Sequence, residues 1–193
     1  MPHGCSVPDT LFETERLRLR RFRESDRAGW TAHMNTPEVR AHLGGIKTKE
    51  ESGGWFDAQK DSWTDAAGGF LVVERKSDEL AIGACGFGPI EADEAPAELR
   101  GAPEIGWSLR ADCWGHGYAT EAARCQLDAM FERWGHAAVY SQTSEANQRS
   151  WRVMERLGLT RLPHLDYIDP LYPPEENPTK IYGITRAQWA ARR

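Results

Sequence analysis

The sequence predicts a single mixed α/β domain, and three observations lead to that prediction. The chain has 193 residues, of which 40% are hydrophobic and eight are tryptophan, which is enough to bury one sizeable core. Segments with the period-two pattern of strands alternate with segments of helical periodicity, in the order helices, hairpin, strand, helix, strand, helix. No internal repeat and no linker-like segment divides the chain, and its composition is not that of a disordered protein.

The first third of the chain predicts one strand and three helices. Arg16 to Arg20 alternates arginine and leucine, which indicates a strand with one buried face. Its arginine face is either solvated or in contact with phosphate. The predicted helices run from the capping group Glu24-Ser25-Asp26 to Met34, from Thr36-Pro37-Glu38 to Gly44-Gly45, and from Lys47 to Trp63 with a break near Gly53-Gly54.

The rest of the chain predicts a hairpin followed by alternating strands and helices, with an acidic, exposed loop at residues 91–98. One helix is amphipathic, with Ala119, Ala123, Leu127, Met130 and Trp134 on one face. The predicted elements are the strands at residues 69–74 and 80–87 around the turn 76–79, the strand 103–110, the helix 118–134, the strand 137–142, the helix 147–157 ended by Gly158, and the strand 180–184.

Charge and composition exclude several classes of function. Lys and Arg number 24 and Asp and Glu 29, so the formal net charge of −5 argues against nucleic-acid and anionic-membrane partners and suits a cationic substrate such as an amine. No segment approaches the about 18 apolar residues of a membrane helix, and the first ten residues lack a targeting pattern, so we expect a cytoplasmic protein. The cysteines at 5, 85, 113 and 125 suggest reduced thiols, and the histidine spacing gives no support for a metal site.

A glycine-containing loop joins the strand near Arg110 to the next helix. Its sequence is Trp114-Gly115-His116-Gly117-Tyr118-Ala119. Glycines followed by the N-terminus of a helix favour an anion site for phosphate, although an ordinary strand-to-helix turn has the same pattern. A dinucleotide fingerprint would require glycine where Thr120 stands, and the Gly-Lys-Ser/Thr of a P-loop does not occur.

Three motifs resemble the GNAT acetyltransferase superfamily. Glu104-Ile105-Gly106-Trp107, followed by residues 114–122 (WGHGYATEA), is similar to its acetyl-CoA-binding core. Residues 147–158, NQRSWRVMERLG, and the opening strand, residues 14–20, resemble the branch that contains the Rim-type ribosomal-protein N-terminal acetyltransferases. One departure is Asp112, where the family pattern usually has Arg or Gln, so a side-chain contact to pyrophosphate is not expected there.

The resemblance implies a GNAT domain over residues 12–189, with residues 1–11 as an N-terminal extension. The implied fold has a central, mostly antiparallel twisted sheet that splays at the cofactor site and is flanked by helices. The implied co-substrate is acetyl-CoA, without a metal, and a homodimer is common in the family.

The resemblance also implies residues that bind acetyl-CoA. Backbone groups of Trp107 and Leu109 would pair with the pantetheine amides. Asn147 would hydrogen-bond the cofactor arm, cap its helix, or do both. The pyrophosphate would be held by the backbone N–H groups of Gly115, His116, Gly117, Tyr118, Ala119 and Thr120.

The implied catalytic residues are Glu104 and Ser150. Glu104 stands at the mouth of the splayed strand and would remove the proton of the amine, unless it is an ordinary solvated strand-end charge. Many family members protonate the leaving thiolate with a tyrosine, but that position is Met154 here. Ser150 matches the position that serves this role, close to the cofactor, in the Rim-type branch, and a first-turn helix serine is the other interpretation.

The sequence leaves the acceptor open. The Rim-type branch suggests a protein N-terminus, and a small amine such as an antibiotic or polyamine is the alternative. A CoA-binding module without catalysis and a nucleotide-binding protein are the remaining hypotheses. The proline-rich loop, residues 163–178, is a candidate acceptor-side lid, and Tyr182 and His164 are candidates for the acceptor pocket.

Overall fold

The computed structural model describes residues 9–64 and 67–192, so residues 1–8 of the predicted N-terminal extension lie outside the described part. The strands are β1 (Thr10–Glu13), β2 (Leu17–Arg20), β3 (Gly69–Arg75), β4 (Leu80–Pro89), β5 (Pro103–Leu109), β6 (Ala138–Thr143), β7 (Thr160–Arg161) and β8 (Lys180–Thr185). The α-helices are α1 (Arg27–Met34), α2 (Pro37–Arg40), α3 (Lys49–Ser62), α4 (Tyr118–Glu132), α5 (Gln148–Leu157) and α6 (Arg186–Ala190).

All eight strands form one sheet in the order β1-β2-β3-β4-β5-β6-β8-β7. Neighbouring strands are antiparallel except β5 and β6, which run parallel and pair at one position, Glu104 with Tyr140. The two strands therefore diverge beyond Glu104, and the predicted single α/β domain with a mostly antiparallel, splayed sheet is confirmed. The short elements β1, β7 and α6 were not predicted, because two to five residues carry too little periodicity.

Helix α3 runs without a break through Gly53-Gly54, so the predicted break is wrong. Glycine lowers the helix propensity by about 1 kcal/mol per residue, but tertiary packing outweighs that cost. The ring of Phe56 is 1% exposed and lies edge-on against Phe22, with centroids 5.4 Å apart. At the first turn, the Thr48 hydroxyl accepts from the Glu51 N–H, and the Glu51 carboxylate accepts from the Thr48 N–H.

We expect Thr48→Ala to lower the free energy of unfolding by about 1 kcal/mol, because it removes the cap of a helix that contains two glycines. Denaturant unfolding followed by circular dichroism measures this change. Thr48→Ser keeps the capping oxygen and should match the wild type. Equal stability of all three proteins would contradict the importance of the cap.

The arginine face of β2 is not uniformly solvated. Arg20 is 2% exposed and forms ion pairs with Asp26 at 2.8 Å and with Glu74. Arg16 donates from Nη1 to the His116 carbonyl oxygen at 3.0 Å and pairs with Glu121 in the first turn of α4. Arg20 on β2 thus makes structural ion pairs, and Arg16, which precedes β2, connects this strand to the glycine loop and to α4.

The main core lies between the sheet and the helices α4 and α5. In α4, Ala123, Leu127 and Met130 are fully buried as predicted. A second cluster joins the acidic loop to the segment that follows β7, and its buried members are Ile90, Ala95, Leu99, Leu165, Tyr167 and Ile181. The acidic loop is thus mostly exposed but anchored through Ala95.

None of the helices in the described part of the chain is long and apolar enough to cross a membrane. Within residues 9–64 and 67–192, no three His, Cys, Asp or Glu side chains are grouped so that they could hold a metal ion.

Candidate active site

A large cavity of about 1230 Å³ opens where β5 and β6 diverge. Its walls are formed by the open edge of β5, the glycine loop, the N-terminal half of α5, the region of α1 to α3, and the proline-rich loop. Its volume exceeds the about 300–1,000 Å³ of a pocket for one small ligand. The cavity is therefore larger than one small ligand requires.

The edge of β5 that faces this cavity presents unpaired backbone groups. Arg110 donates its N–H to the Ile82 carbonyl oxygen on β4, and Ile90 donates to the Ala102 carbonyl oxygen, so the even-numbered residues between 102 and 110 face β4. Because backbone direction alternates along a strand, Trp107 and Leu109 face the gap. The Leu109 carbonyl oxygen accepts from Trp114 Nε1 at 2.8 Å, so within the described residues both backbone groups of Trp107 and the N–H of Leu109 remain open.

The glycine loop ends in a left-handed turn that starts α4. Gly115 and Gly117 have φ angles of 82° and 79°, and Gly117 is the residue that caps α4. Residues Gly115, Gly117, Tyr118, Ala119 and Thr120 line the cavity, so the first N–H groups of α4 are available to an anion there. The His116 ring lies outside that lining and stacks on Tyr118 at 5.6 Å, which leaves only its backbone as a candidate ligand.

Helix α5 contributes both candidate polar residues. Asn147 caps α5, with Oδ1 accepting from the Ser150 N–H at 3.3 Å, and its Nδ2 group makes no hydrogen bond to the described residues. Ser150 lines the cavity, and its hydroxyl likewise has no partner in the described part of the chain. Three basic side chains of α5 also line this end, namely Arg149, Arg152 and Arg156, and the guanidinium of Arg149 lies 4.3 Å from the ring centroid of Trp114.

Glu104 lies at the position where β5 pairs with β6, next to the point where the two strands diverge. Its carboxylate oxygen Oε2 accepts from Gln142 Nε2 at 3.0 Å. Burial raises the pKa of Glu104 to about 7, although the hydrogen bonds from Gln142 lower it. A carboxyl group with a pKa near neutrality is suited to accept and release a proton at physiological pH.

The end of the cavity beyond Glu104 is acidic and aromatic. Burial and the negative charges of Asp169, Glu104 and Glu176 raise the pKa of the Tyr172 hydroxyl, while Arg40 opposes this effect. At this end of the cavity, His42 Nδ1 and Glu176 Oε1 lie 2.8 Å apart, and this contact connects the loop after α2 to the proline-rich loop. The aromatic residues that line the cavity are Trp30, Trp55, Phe70, Trp107, Trp114, Tyr118 and Tyr172.

Several residues named from the sequence lie outside the cavity. Tyr182 is 7% exposed and belongs to the main core, and His164 is exposed on a short 3₁₀ turn. Neither residue lines the cavity, so the expectation that they line the acceptor pocket is wrong. Asp112 is exposed and pairs with Arg110 at 2.7 Å, away from the lining. Both residues come from the last predicted elements of the chain, and the local sequence does not indicate whether those side chains face the pocket or the core.

Cys113 lines the cavity, but its thiol is buried and its pKa is raised, mainly by burial, so the nucleophilic thiolate is disfavoured. We expect Cys113→Ala to keep the rate of the acetyl transfer that the sequence resemblance implies within about twofold of wild type, since removing one sulfur atom is a small change in volume. A continuous thiol-release assay measures this rate. A loss of more than tenfold would instead indicate an acyl-cysteine intermediate.

Sequence reasoning did not predict the acidic wall of the cavity, formed by Asp169 and Glu176, or Gln142, the hydrogen-bond partner of Glu104. Asp169 and Glu176 lie in a proline-rich segment without periodicity, and Gln142 is one polar residue on a short strand. Gln142, Asp169 and Glu176 lie 38, 65 and 72 positions from Glu104 along the sequence, and local patterns do not encode contacts over such separations. The available signal was the notable length and aromatic content of the proline-rich loop.

The chain is similar to several known proteins. It is 28% identical over 151 residues to the uncharacterized protein YkkB of Bacillus subtilis (strain 168), covering 78% of this chain and 85% of that protein. It is 34% identical over 103 residues to an FsC-acetyl coenzyme A-N(2)-transacetylase of Aspergillus fumigatus, covering 52% of this chain and 44% of that protein. The structure of an acetyltransferase from Agrobacterium tumefaciens str. C58 superimposes with a TM-score of 0.72 at 29% identity, covering 93% and 95% of the two chains.

The family model described as the acetyltransferase (GNAT) domain matches residues 16–160, which include the splayed strand, the glycine loop and α5. Members of this family transfer acetyl groups from acetyl-CoA to amines. The fold, the cavity and this match agree, and the chain belongs to the GNAT acetyltransferase family.

Proposed function

We propose that this protein transfers the acetyl group of acetyl-CoA to a primary amine by direct attack, with Glu104 as the general base. The observation that carries the proposal is the position of Glu104, at the junction between an open β-edge that leads to the glycine loop and an acidic pocket. The name of the A. fumigatus relative, which contains acetyl coenzyme A, agrees with the donor.

The residues present fit the donor. The open groups of Trp107 and Leu109 match the amides of an extended pantetheine arm, and the N–H groups of Gly115 to Thr120, His116 included, match a pyrophosphate. The three arginines of α5 add positive charge at this end. The Asn147 Nδ2 group is available to the arm while Oδ1 caps α5.

Glu104 and Ser150 then have complementary roles. Bound acetyl-CoA supplies an activated acetyl group. Glu104 accepts a proton from the ammonium group, directly or through water, so that the neutral nitrogen forms the new C–N bond. A backbone N–H on the open edge of β5 donates to the carbonyl oxygen as it becomes negative. As the C–S bond breaks, the Ser150 hydroxyl donates its proton to the departing thiolate and receives the second proton of the attacking nitrogen, so that a neutral amide and the free CoA thiol form, and Glu104 releases the first proton to solvent.

The charges of the acidic end favour a small acceptor that carries a second positive charge. Five carboxylates line the cavity, at Glu38, Glu51, Glu104, Asp169 and Glu176, and in the described part of the chain none is within ion-pair distance of Lys or Arg. Hydrogen bonds from Thr48 lower the pKa of Glu51, and the charges of Lys47 and Arg40, which also line the cavity, lower it further. Asp169 is 7% exposed, and among the described residues its Oδ1 accepts from the Leu171 N–H alone. A buried carboxylate without a basic partner is costly, and an ammonium group of the acceptor would offset that cost.

We expect an alkyl diamine to be acetylated with about tenfold higher kcat/KM than the monoamine of equal length, since one charge pair at a partly buried site contributes about 1.4 kcal/mol. Asp169→Asn keeps the acceptor for the Leu171 N–H, removes the charge, and should abolish this preference. Glu175→Gln, an exposed change on the same loop outside the cavity, is the control and should preserve it. Equal turnover of both amines by wild type would contradict the proposed acceptor.

A protein N-terminus is the second candidate acceptor. The Asn147-x-x-Ser150 motif, which resembles that of the Rim-type branch, favours it. A peptide with a neutral N-terminal sequence brings one ammonium group and leaves the carboxylates beyond Glu104 unpaired. Preferential acetylation of such a peptide over every diamine and aminosugar would therefore select this candidate.

A further inference from the structure

We infer that Gln142 and Tyr167 are positioning residues that hold the Glu104 carboxylate in the orientation required of a base. This inference rests on the proposed role of Glu104. The Tyr167 hydroxyl donates to Gln142 Oε1 at 2.7 Å, and Gln142 Nε2 donates to Glu104 Oε2 at 3.0 Å. The three side chains form one hydrogen-bonded chain that connects the proline-rich loop to the splayed strand.

The hydrogen bonds from Tyr167 through Gln142 to Glu104 run in one direction, because the three side chains differ in which groups can donate. A carboxylate only accepts, whereas a primary amide has one donating and one accepting end. With Tyr167 donating to the amide oxygen, the amide nitrogen is directed at Glu104 and favours its ionised form. Without the tyrosine hydroxyl, the amide is free to turn its oxygen toward Glu104, which would favour the protonated carboxyl group.

Tyr167, at the far end of these hydrogen bonds from Glu104, is buried and lies outside the cavity. Tyr167 is 7% exposed within the second core cluster, and it is absent from the cavity lining, whereas Gln142 lines the cavity. Tyr167 also lies two residues before Asp169 of the acidic wall. One segment therefore shapes the acceptor pocket and orients the base.

The test is a carboxyl ¹³C NMR titration of Glu104, in protein labelled at the glutamate side chains and assigned with Glu104→Gln. In wild type we expect a pKa of about 7. Gln142→Met should raise it by about one unit, because a charge-assisted hydrogen bond is lost. Tyr167→Phe should raise it by a smaller amount. Tyr140→Phe is the matched control, since the Tyr140 hydroxyl makes no hydrogen bond to the described residues, and should leave it unchanged.

The pH profile of kcat/KM gives the second readout. In both variants its midpoint should move upward with the NMR value while the KM for acetyl-CoA stays constant. An unchanged Glu104 pKa in Gln142→Met and Tyr167→Phe, in folded protein, would overturn the inference. The titration does not require turnover, so shifted pKa values in a protein that acetylates no amine would support the hydrogen-bonded chain and overturn only the proposed function.

Discussion

Replacement of Glu104 by glutamine is expected to lower kcat/KM for the amine by about 100-fold at pH 7.5, because a general base contributes about 10² to 10⁴ in rate. With the wild type, activity should rise tenfold per pH unit below the Glu104 pKa of about 7 and level off above it, since only the ionised carboxylate accepts the proton. In Glu104→Gln the plateau should disappear, and the rate should rise with the fraction of neutral amine up to the pKa of the amine itself. Thiol release measured between pH 5.5 and 9.5 tests both expectations.

Glu98→Gln is the control for this experiment. Glu98 is an exposed carboxylate of the acidic loop, outside the cavity, so its removal changes the net charge equally without touching the site. It should retain the wild-type profile. A Glu104→Gln protein with a wild-type plateau near pH 7 would assign the base to another group.

Gly117→Val is expected to weaken acetyl-CoA binding by about 100-fold, equivalent to about 2.7 kcal/mol. Gly117 has a φ of 79° at the start of α4, a conformation that β-branched residues avoid. The chain must leave that conformation to accommodate valine, and the N–H groups of the first turn then lose their common direction toward the phosphate. Isothermal titration calorimetry with acetyl-CoA measures the change.

Gly101→Val is the matched control, because Gly101 has a similar φ of 73° and lies outside the cavity, and a Cβ at this position would have no neighbouring atom within 4 Å. It should lose stability to a similar extent and keep its affinity for acetyl-CoA. If the two variants bind acetyl-CoA equally well, the glycine loop is an ordinary turn.

The parts of the fold that the sequence predicted are those with strong local signals. The Arg–Leu alternation located β2, the apolar spacing located α4, and Gly158 marked the end of α5, where its φ is 90°. These features depend on residues a few positions apart. The unbroken α3 shows the limit of this reasoning, because the packing of Phe56 decides the conformation of Gly53-Gly54 and is not local.

The candidate site also combines residues that local motifs predicted with contacts that depend on distant segments. Glu104, Asn147 and Ser150 line one cavity and were named from motifs in their own segments. The hydrogen bonds that connect Gln142 to Glu104 and Tyr167 span 38 and 25 positions, and they exist only because β5, β6 and the proline-rich loop meet. The acidic wall depends on the same meeting of distant segments.

A product assay shows whether the protein acetylates an amine. Wild-type protein is incubated with acetyl-CoA labelled in the acetyl group and with a panel of an alkyl monoamine, an alkyl diamine, an aminosugar and a neutral peptide, and the products are followed by mass spectrometry. We predict labelled N-acetyl product from the diamine or the aminosugar, with an equal amount of free CoA thiol, and a loss of about 100-fold in Glu104→Gln. Tight binding of acetyl-CoA without label on any amine would contradict the account and indicate a CoA-binding module without catalysis.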